Sequence, residues 1–138
     1  MTHLGIAKAL INAKSRGVAI EVLVDPSAIK TRSSIQRLEH AGVPLFIWDQ
    51  GMREEGKKKR GLMHDKFCVF GDTLVWTGSF NFTNDANTLH QENALAIASR
   101  EIAQKYLTQF SQMKLYESCP YQEYLALHPK KKGAKKKT

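Results

Sequence analysis

The spacing of apolar residues switches between helical and strand-like along the first third of the chain. The first apolar positions recur every three or four residues, as on one face of a helix, and Gly17 follows them as a stop signal. A β-branched run then precedes Asp25 and Pro26, and the same alternation repeats once before position 49. The pattern predicts a helix over 2–15, a strand over 18–24, a helix over 33–41 and a strand over 43–48.

The second half of the chain is richer in strand-like runs. Two apolar runs flank Gly71 and Asp72, a pair that favours a turn. The elements predicted here are strands over 67–70, 74–76 and 93–98, a polar loop over 81–90 and a helix over 101–115. Helices alternate with strands and then give way to a strand-rich half, which indicates an α/β fold with a mixed β-sheet flanked by helices.

Chain length and composition are those of one globular domain. We expect that domain to occupy residues 1–116, with a loop and a lysine-rich tail over 117–138. Cys68 and Cys119 form neither a disulfide framework nor a zinc spacing, and we expect no metal and no cofactor. No apolar run is long enough for a membrane span, and the first residues lack the features of a signal peptide, so the sequence leaves the compartment open.

The net charge of +8 is concentrated in two short segments. The segment Lys57, Lys58, Lys59 and Arg60 carries four positive charges, and the tail over 130–137 carries six. Lysine clusters bind nucleic-acid backbones by releasing counterions, although a solvated loop and a solubilising tail would look the same. The first segment ends four residues before His64, so we expect it to lie near a functional site and to bind nucleic acid.

Residues 64–93 contain a concentration of chemically useful side chains. His64 and Lys66 stand two apart at the start of an apolar run, where an extended backbone directs both to the same face. A polar stretch follows, and it supplies a hydroxyl, a carboxamide and a carboxylate from Ser79, Asn81 and Glu92. These groups suffice to attack a phosphodiester without a metal.

This pattern resembles the signature of the phospholipase D superfamily, His-x-Lys-x4-Asp followed by a Gly-Ser element. More narrowly it is similar to the small nucleases that carry one copy of the motif, and the resemblance extends over roughly residues 4–110, including 14–25 and 35–45. The family Asp falls at Gly71 here, and Asp72 can replace it after a local bulge. The family fold normally begins with one more helix and strand than this chain has, so we expect a phospholipase D-like fold that lacks them.

The resemblance implies a two-step reaction that needs two histidines. One imidazole attacks phosphorus and forms a phosphohistidine, and a second protonates the leaving oxygen and then activates water. Since the chain has one His-x-Lys that a Gly-Ser element follows, the resemblance implies a homodimer in which His64 of one subunit is the nucleophile, His64 of the other is the acid, and both Lys66 side chains hold the phosphate. Ser79 and Asn81 would donate further hydrogen bonds to the phosphate, and Glu92 would orient the imidazole of His64.

Three functions are compatible with these residues. The first is a metal-independent endonuclease that cleaves DNA or RNA, which the basic segments favour. The second is a phospholipid hydrolase with the same chemistry. The third is a non-catalytic nucleic-acid-binding module, which the glycine at position 71 favours.

Overall fold

The computed structural model describes residues 3–29, 33–49 and 61–129. Its helices are α1 (Leu4–Ser15), α2 (Ser33–His40), α3 (Asn84–Thr88), α4 (Arg100–Tyr116) and α5 (Tyr121–Leu127), with a 3₁₀ helix over Pro26–Ile29. Its strands are β1 (Val22–Val24), β2 (Leu45–Trp48), β3 (Phe67–Phe70), β4 (Leu74–Gly78), β5 (Ala94–Ala98) and β6 (Ser118–Pro120). None of the described helices has the length and apolarity needed to cross a bilayer.

The strands form two three-stranded sheets. In the first sheet β2 lies between β1, which runs parallel to it, and β6, which runs antiparallel. The second sheet is an antiparallel meander of β3, β4 and β5. Sheets with helices packed against them confirm the predicted mixed α/β fold.

The main core lies between the first sheet and three helices. Ile35 and Leu38 of α2 and Ile47 of β2 are fully buried, and Ala7 of α1 is equally inaccessible. Removing such apolar side chains from water is the main stabilising contribution in a domain of this size. The helical stripe predicted for 2–15 is confirmed, and Gly17 ends it with a positive φ of 87° that favours glycine.

The second sheet packs against α4. Val75 at the centre of β4 and Ala103 of α4 are fully buried, and the ring of Phe67 contacts Tyr106 edge to face at 4.9 Å. This packing fixes the hairpin of β3 and β4 to the body of the protein. The start of β3 is therefore a rigid base for the residues that precede it.

Two loop predictions are wrong. Residues 118–127, predicted as loop beyond a domain ending at 116, form β6 and α5, and they place Tyr121 and Tyr124 in the main core. Residues 84–88 form the short helix α3, whose first turn is capped by the Thr83 side chain accepting from the Ala86 N–H at 3.2 Å. Both elements depend on contacts or caps that apolar periodicity does not report.

Candidate active site

His64 and Lys66 lie on an irregular segment, residues 61–66, that leads into β3. The side chain of His64 is exposed, whereas Lys66 is 9% exposed. The Lys66 ammonium donates to the carbonyl oxygen of His64 at 2.7 Å. The segment thus presents an accessible imidazole, and the ammonium of the buried Lys66 is bonded to the backbone of the same residue.

The hairpin register brings Ser79 to the same end of the sheet as Lys66. Phe67 pairs with Thr77, and the Thr77 hydroxyl donates to the Lys66 carbonyl oxygen at 3.1 Å. Gly78 follows at the point where β4 meets Asn93, and a Cβ at Gly78 would collide with the Asn93 carbonyl oxygen. The glycine of the Gly-Ser element is therefore required by the close approach of two backbones.

Ser79 and Glu92 form a hydrogen-bonded group at this end of the sheet. The Ser79 hydroxyl donates to Glu92 Oε2 and accepts from the Asn93 N–H at 3.1 Å. Nδ1 of His90 lies 3.7 Å from Glu92 Oε1, so each carboxylate oxygen has a partner within the chain. Sequence reasoning gave His90 no role, and its proximity in sequence to Glu92 was the available signal.

The described contacts do not pair Glu92 with His64. The sequence predicts that Glu92 bonds to the far nitrogen of His64, but in the structure its Oε2 accepts from Ser79 and its Oε1 lies 3.7 Å from His90 Nδ1. A carboxylate has about four acceptor positions, so these two contacts leave room for another donor. The orientation of an imidazole by Glu92 stays a prediction.

Asn81 reaches solvent because the segment after β4 alternates its faces. Ser79 and Asn81 are exposed, while Phe80 and Phe82 are half-buried against Trp76 at ring centroid distances of 5.8 and 5.4 Å. The aromatic side chains hold the segment, and the two polar side chains project from it. This arrangement is compatible with phosphate binding by Asn81, whereas the single hydroxyl proton of Ser79 is donated to Glu92.

Asp72 does not lie with the hydrogen-bonded group of Ser79 and Glu92. It lies in the β3–β4 turn, at the opposite end of the hairpin from Lys66, and its carboxylate forms an ion pair with Arg100 at the start of α4. The two strands pair regularly from Phe67 to Phe70, without the bulge that would move Asp72 toward the family position, and Gly71 takes a positive φ of 61° in the turn. The assignment of Asp72 to the site is therefore corrected: its ion pair with Arg100 holds the hairpin against α4.

A residue that sequence reasoning left without a function contacts the segment 61–66. Asp25 follows β1, and its carboxylate accepts from the Ser27 N–H at 2.8 Å and from the Met63 N–H at 3.3 Å. The available signal was an Asp-Pro pair at the end of a strand, which is also an ordinary turn sequence. Only the fold shows that it reaches the residue before His64.

Cys68 is a poor alternative nucleophile. Burial raises the pKa of the Cys68 thiol above its ordinary value, so the thiol stays protonated at neutral pH. The thiolate is the reactive form of cysteine. The exposed imidazole of His64 is therefore the better nucleophile at this end of the sheet.

Two other sequence predictions concern metal ligands and the basic segment. Within the ranges 3–29, 33–49 and 61–129, no three His, Cys, Asp or Glu side chains are grouped closely enough to hold a metal ion. Lys57, Lys58, Lys59 and Arg60 lie outside the described residues, as does the lysine-rich tail from 130 onward. Their binding to nucleic acid stays a prediction from charge.

Comparison with known proteins gives consistent similarities. Residues 1–114 match the family described as cardiolipin synthase, PLD-like domain. A phospholipase D from Rickettsia felis is 36% identical over 108 residues, which are 78% of this chain and 50% of that protein. A mitochondrial cardiolipin hydrolase from Xenopus tropicalis is 32% identical over 109 residues, 78% of this chain and 48% of that protein. The chain thus spans about half the length of these curated relatives.

The fold has counterparts among solved structures. Nuc from Salmonella typhimurium, described as a phospholipase D family member, superposes with a TM-score of 0.72 at 30% identity, covering 88% of this chain and 76% of Nuc. NucT from Helicobacter pylori has a TM-score of 0.73 at 21% identity, which shows a shared fold. The family match over most of the chain, the identity to Nuc and the motif from His64 to Glu92 agree, and the chain belongs to the phospholipase D superfamily.

Proposed function

We propose that the protein is a metal-independent phosphodiesterase in which His64 is the nucleophile. One observation carries the proposal: the imidazole of His64 is exposed, and the ammonium of the buried Lys66 donates to the carbonyl oxygen of His64. A nucleophile must be accessible, whereas a charge that stabilises a phosphoryl group acts more strongly away from bulk water. Asn81 adds a hydrogen-bond donor after β4, whereas the one hydroxyl proton of Ser79 is donated to Glu92.

The reaction proceeds in two steps. A neutral ring nitrogen of His64 attacks phosphorus, the bond from phosphorus to the leaving alkoxide breaks, and a protonated imidazole gives its proton to that oxygen. The second imidazole, now neutral, takes a proton from water as the water oxygen attacks the phosphoryl group. The bond from phosphorus to His64 breaks, and both imidazoles return to their starting states.

The preferred substrate in this proposal is DNA or RNA. Four positive charges in Lys57–Arg60 and six in the tail over 130–137 would bind a polyanionic backbone. Cleavage with little sequence preference is expected, because phosphate contacts carry no base information.

Hydrolysis of a phospholipid is the second candidate, and one observation favours it. Leu62 and Leu89 are 59% and 75% exposed; Leu62 lies two residues before His64, and Leu89 immediately precedes His90. Exposed leucines next to a phosphodiester site could contact acyl chains. The names of the Rickettsia and Xenopus relatives agree with this candidate.

A substrate panel separates the candidates. We expect the protein to cleave single-stranded DNA or RNA in excess EDTA, because the nucleophile and the acid are both side chains. Single-stranded DNA, RNA, phosphatidylcholine and cardiolipin vesicles should be compared under the same conditions, with product formation as the readout. Loss of cleavage in EDTA with recovery in magnesium would contradict the mechanism, and turnover of lipid alone would select the second candidate. Tight nucleic-acid binding with no turnover would select the non-catalytic module.

The proposal requires a homodimer, since one motif per chain supplies one imidazole for a reaction that uses two. A two-fold axis at the site would bring the two His64 side chains and the two Lys66 side chains together by one self-complementary contact. We expect the dimer contact to be built from the strand and loop elements from Lys66 to Asn81, because they carry or adjoin the site residues.

Mixing tests the shared site. When wild-type protein is exchanged with an equal amount of His64→Ala protein, we expect activity to fall to about a quarter of that of the same total amount of wild type, because only wild-type dimers keep both imidazoles. Independent sites would retain about half. Mixing with His40→Ala, a remote and active variant, should leave activity unchanged. Full activity of a species that sediments as a monomer would contradict the shared site.

A further inference from the structure

Asp25 connects the two sheets at the end that carries the site residues. It directly follows β1 of the first sheet, and its Oδ2 accepts from the Met63 N–H of the segment that leads into β3 of the second sheet. The two residues are 38 positions apart in sequence. Met63 immediately precedes His64, so this hydrogen bond acts on the residue that joins the candidate nucleophile to the preceding chain.

The carboxylate is itself held firmly. Its Oδ1 accepts from the Ser27 N–H at 2.8 Å, and the Asp25 carbonyl oxygen accepts from the Ala28 N–H at 2.9 Å. Pro26 restricts the backbone between them, because its ring fixes φ. Each carboxylate oxygen of Asp25 therefore accepts from one backbone N–H, Oδ1 from Ser27 at 2.8 Å and Oδ2 from Met63 at 3.3 Å.

The segment 61–66 needs such a contact because it lies outside the strand ladders. The pairing of β3 with β4 begins at Phe67, and residues 61–66 have no regular secondary structure. The Lys66 ammonium bonds to the His64 carbonyl, which ties the segment to itself rather than to the rest of the fold. The bond from Met63 to Asp25 instead anchors it to the first sheet.

We infer that Asp25 is a positioning residue for His64. By fixing the Met63 amide, it sets where the imidazole stands relative to a bound phosphodiester. The inference rests on the proposed function for its effect on turnover, whereas the anchoring itself can be measured without any substrate. Misplacing a reacting group by about 1 Å can cost on the order of 100-fold in rate.

The test compares two variants with a matched control. Asp25→Ala removes both acceptors, and we expect kcat for bis(4-nitrophenyl) phosphate to fall about 10- to 100-fold with KM unchanged within about twofold. Asp25→Asn has nearly the same shape but one acceptor. Its amide oxygen can keep the short local bond from the Ser27 N–H, so the Met63 N–H is the one that loses its partner, and a smaller loss of kcat is expected. Glu21→Gln removes a carboxylate just before the same strand, where Glu21 pairs with Lys114 at 2.8 Å, and it should keep wild-type kcat.

Two further readouts report on the anchoring alone. Amide hydrogen exchange at Met63 should be faster in both Asp25 variants than in wild type and in Glu21→Gln, and the imidazole resonances of His64 should shift or broaden. If Asp25→Ala does not fold, as judged by thermal melting, Asp25→Asn decides the outcome.

Unchanged Met63 exchange and unchanged His64 resonances in Asp25→Asn would overturn the inference. So would a rise in KM with kcat preserved, which would mean a role in binding. If the wild-type protein cleaves no phosphodiester, the proposed function fails, and the exchange and resonance measurements still decide whether Asp25 anchors His64.

Discussion

Replacing His64 by alanine should abolish turnover while the protein stays folded. In the proposed dimer one residue serves as both nucleophile and acid, so a single substitution removes both groups. Groups that act as a unit have non-additive effects, and we expect kcat to fall by at least about 10⁴-fold. The His64 side chain is exposed, so the melting temperature should change little. Steady-state kinetics measures the fall in kcat, and thermal melting of the same preparation measures the melting temperature.

The matched control for this variant is His40→Ala. His40 is also an exposed histidine near a carboxylate, with Nε2 3.5 Å from Glu39 Oε2, but it lies at the end of α2 in the part of the fold built on the first sheet. We expect it to retain wild-type kcat. Activity of His64→Ala within a few-fold of wild type would refute the assignment of the nucleophile.

Replacing Lys66 should produce the second largest loss. Lys66 is nearly buried, and its ammonium is the described positive charge closest to the His64 backbone. Removing a group that stabilises developing charge typically costs about 10²- to 10³-fold in kcat. We expect a loss of that size for Lys66→Met, which keeps an unbranched apolar side chain of similar length and removes the charge.

Comparing Lys66→Met with Lys66→Ala separates the effect of the lost charge from the effect of the lost side-chain volume. Lys66→Ala removes both the ammonium and the side-chain volume, so its melting temperature should fall more than that of Lys66→Met. Lys105→Ala is the control, because Lys105 forms an exposed pair with Glu101 at 2.9 Å on α4, and such pairs contribute little. If Lys66→Met kept wild-type kcat, the ammonium would have no part in the reaction.

Local pattern was enough to locate the hairpin that carries the site. Apolar runs on both sides of Gly71 predict β3 and β4, and the structure confirms both strands and the turn between them. A turn between neighbouring strands depends mainly on residues close in sequence, since positive φ at Gly71 is a local property. The His-x-Lys spacing and the Gly-Ser element are equally local, and so the family could be identified before any coordinates.

The partners of the acidic residues could not be found in this way. Asp72 was the nearest replacement for the family Asp by position, yet it pairs with Arg100 because the hairpin turn abuts the start of α4. Glu92 lies beside Ser79 because Gly78 at the end of β4 pairs with Ala94 at the start of β5, which brings the two residues to one end of the sheet. Carboxylate pairing depends on which elements meet, and sequence spacing does not encode that.

The α/β class, the order of most helices and strands, the residues of the motif and the concentration of positive charge could all be read from the amino-acid sequence. These follow from periodicity, turn-forming residues and side-chain chemistry, all of which act over a few positions. Three features were visible only in the tertiary structure. Residues 118–127 complete the first sheet and its core, Asp72 pairs with Arg100 away from the other candidate site residues, and Asp25 accepts a hydrogen bond from Met63, 38 positions away. Each of these depends on a contact between distant segments, and such contacts form only when burial of the apolar core has fixed the two sheets in place.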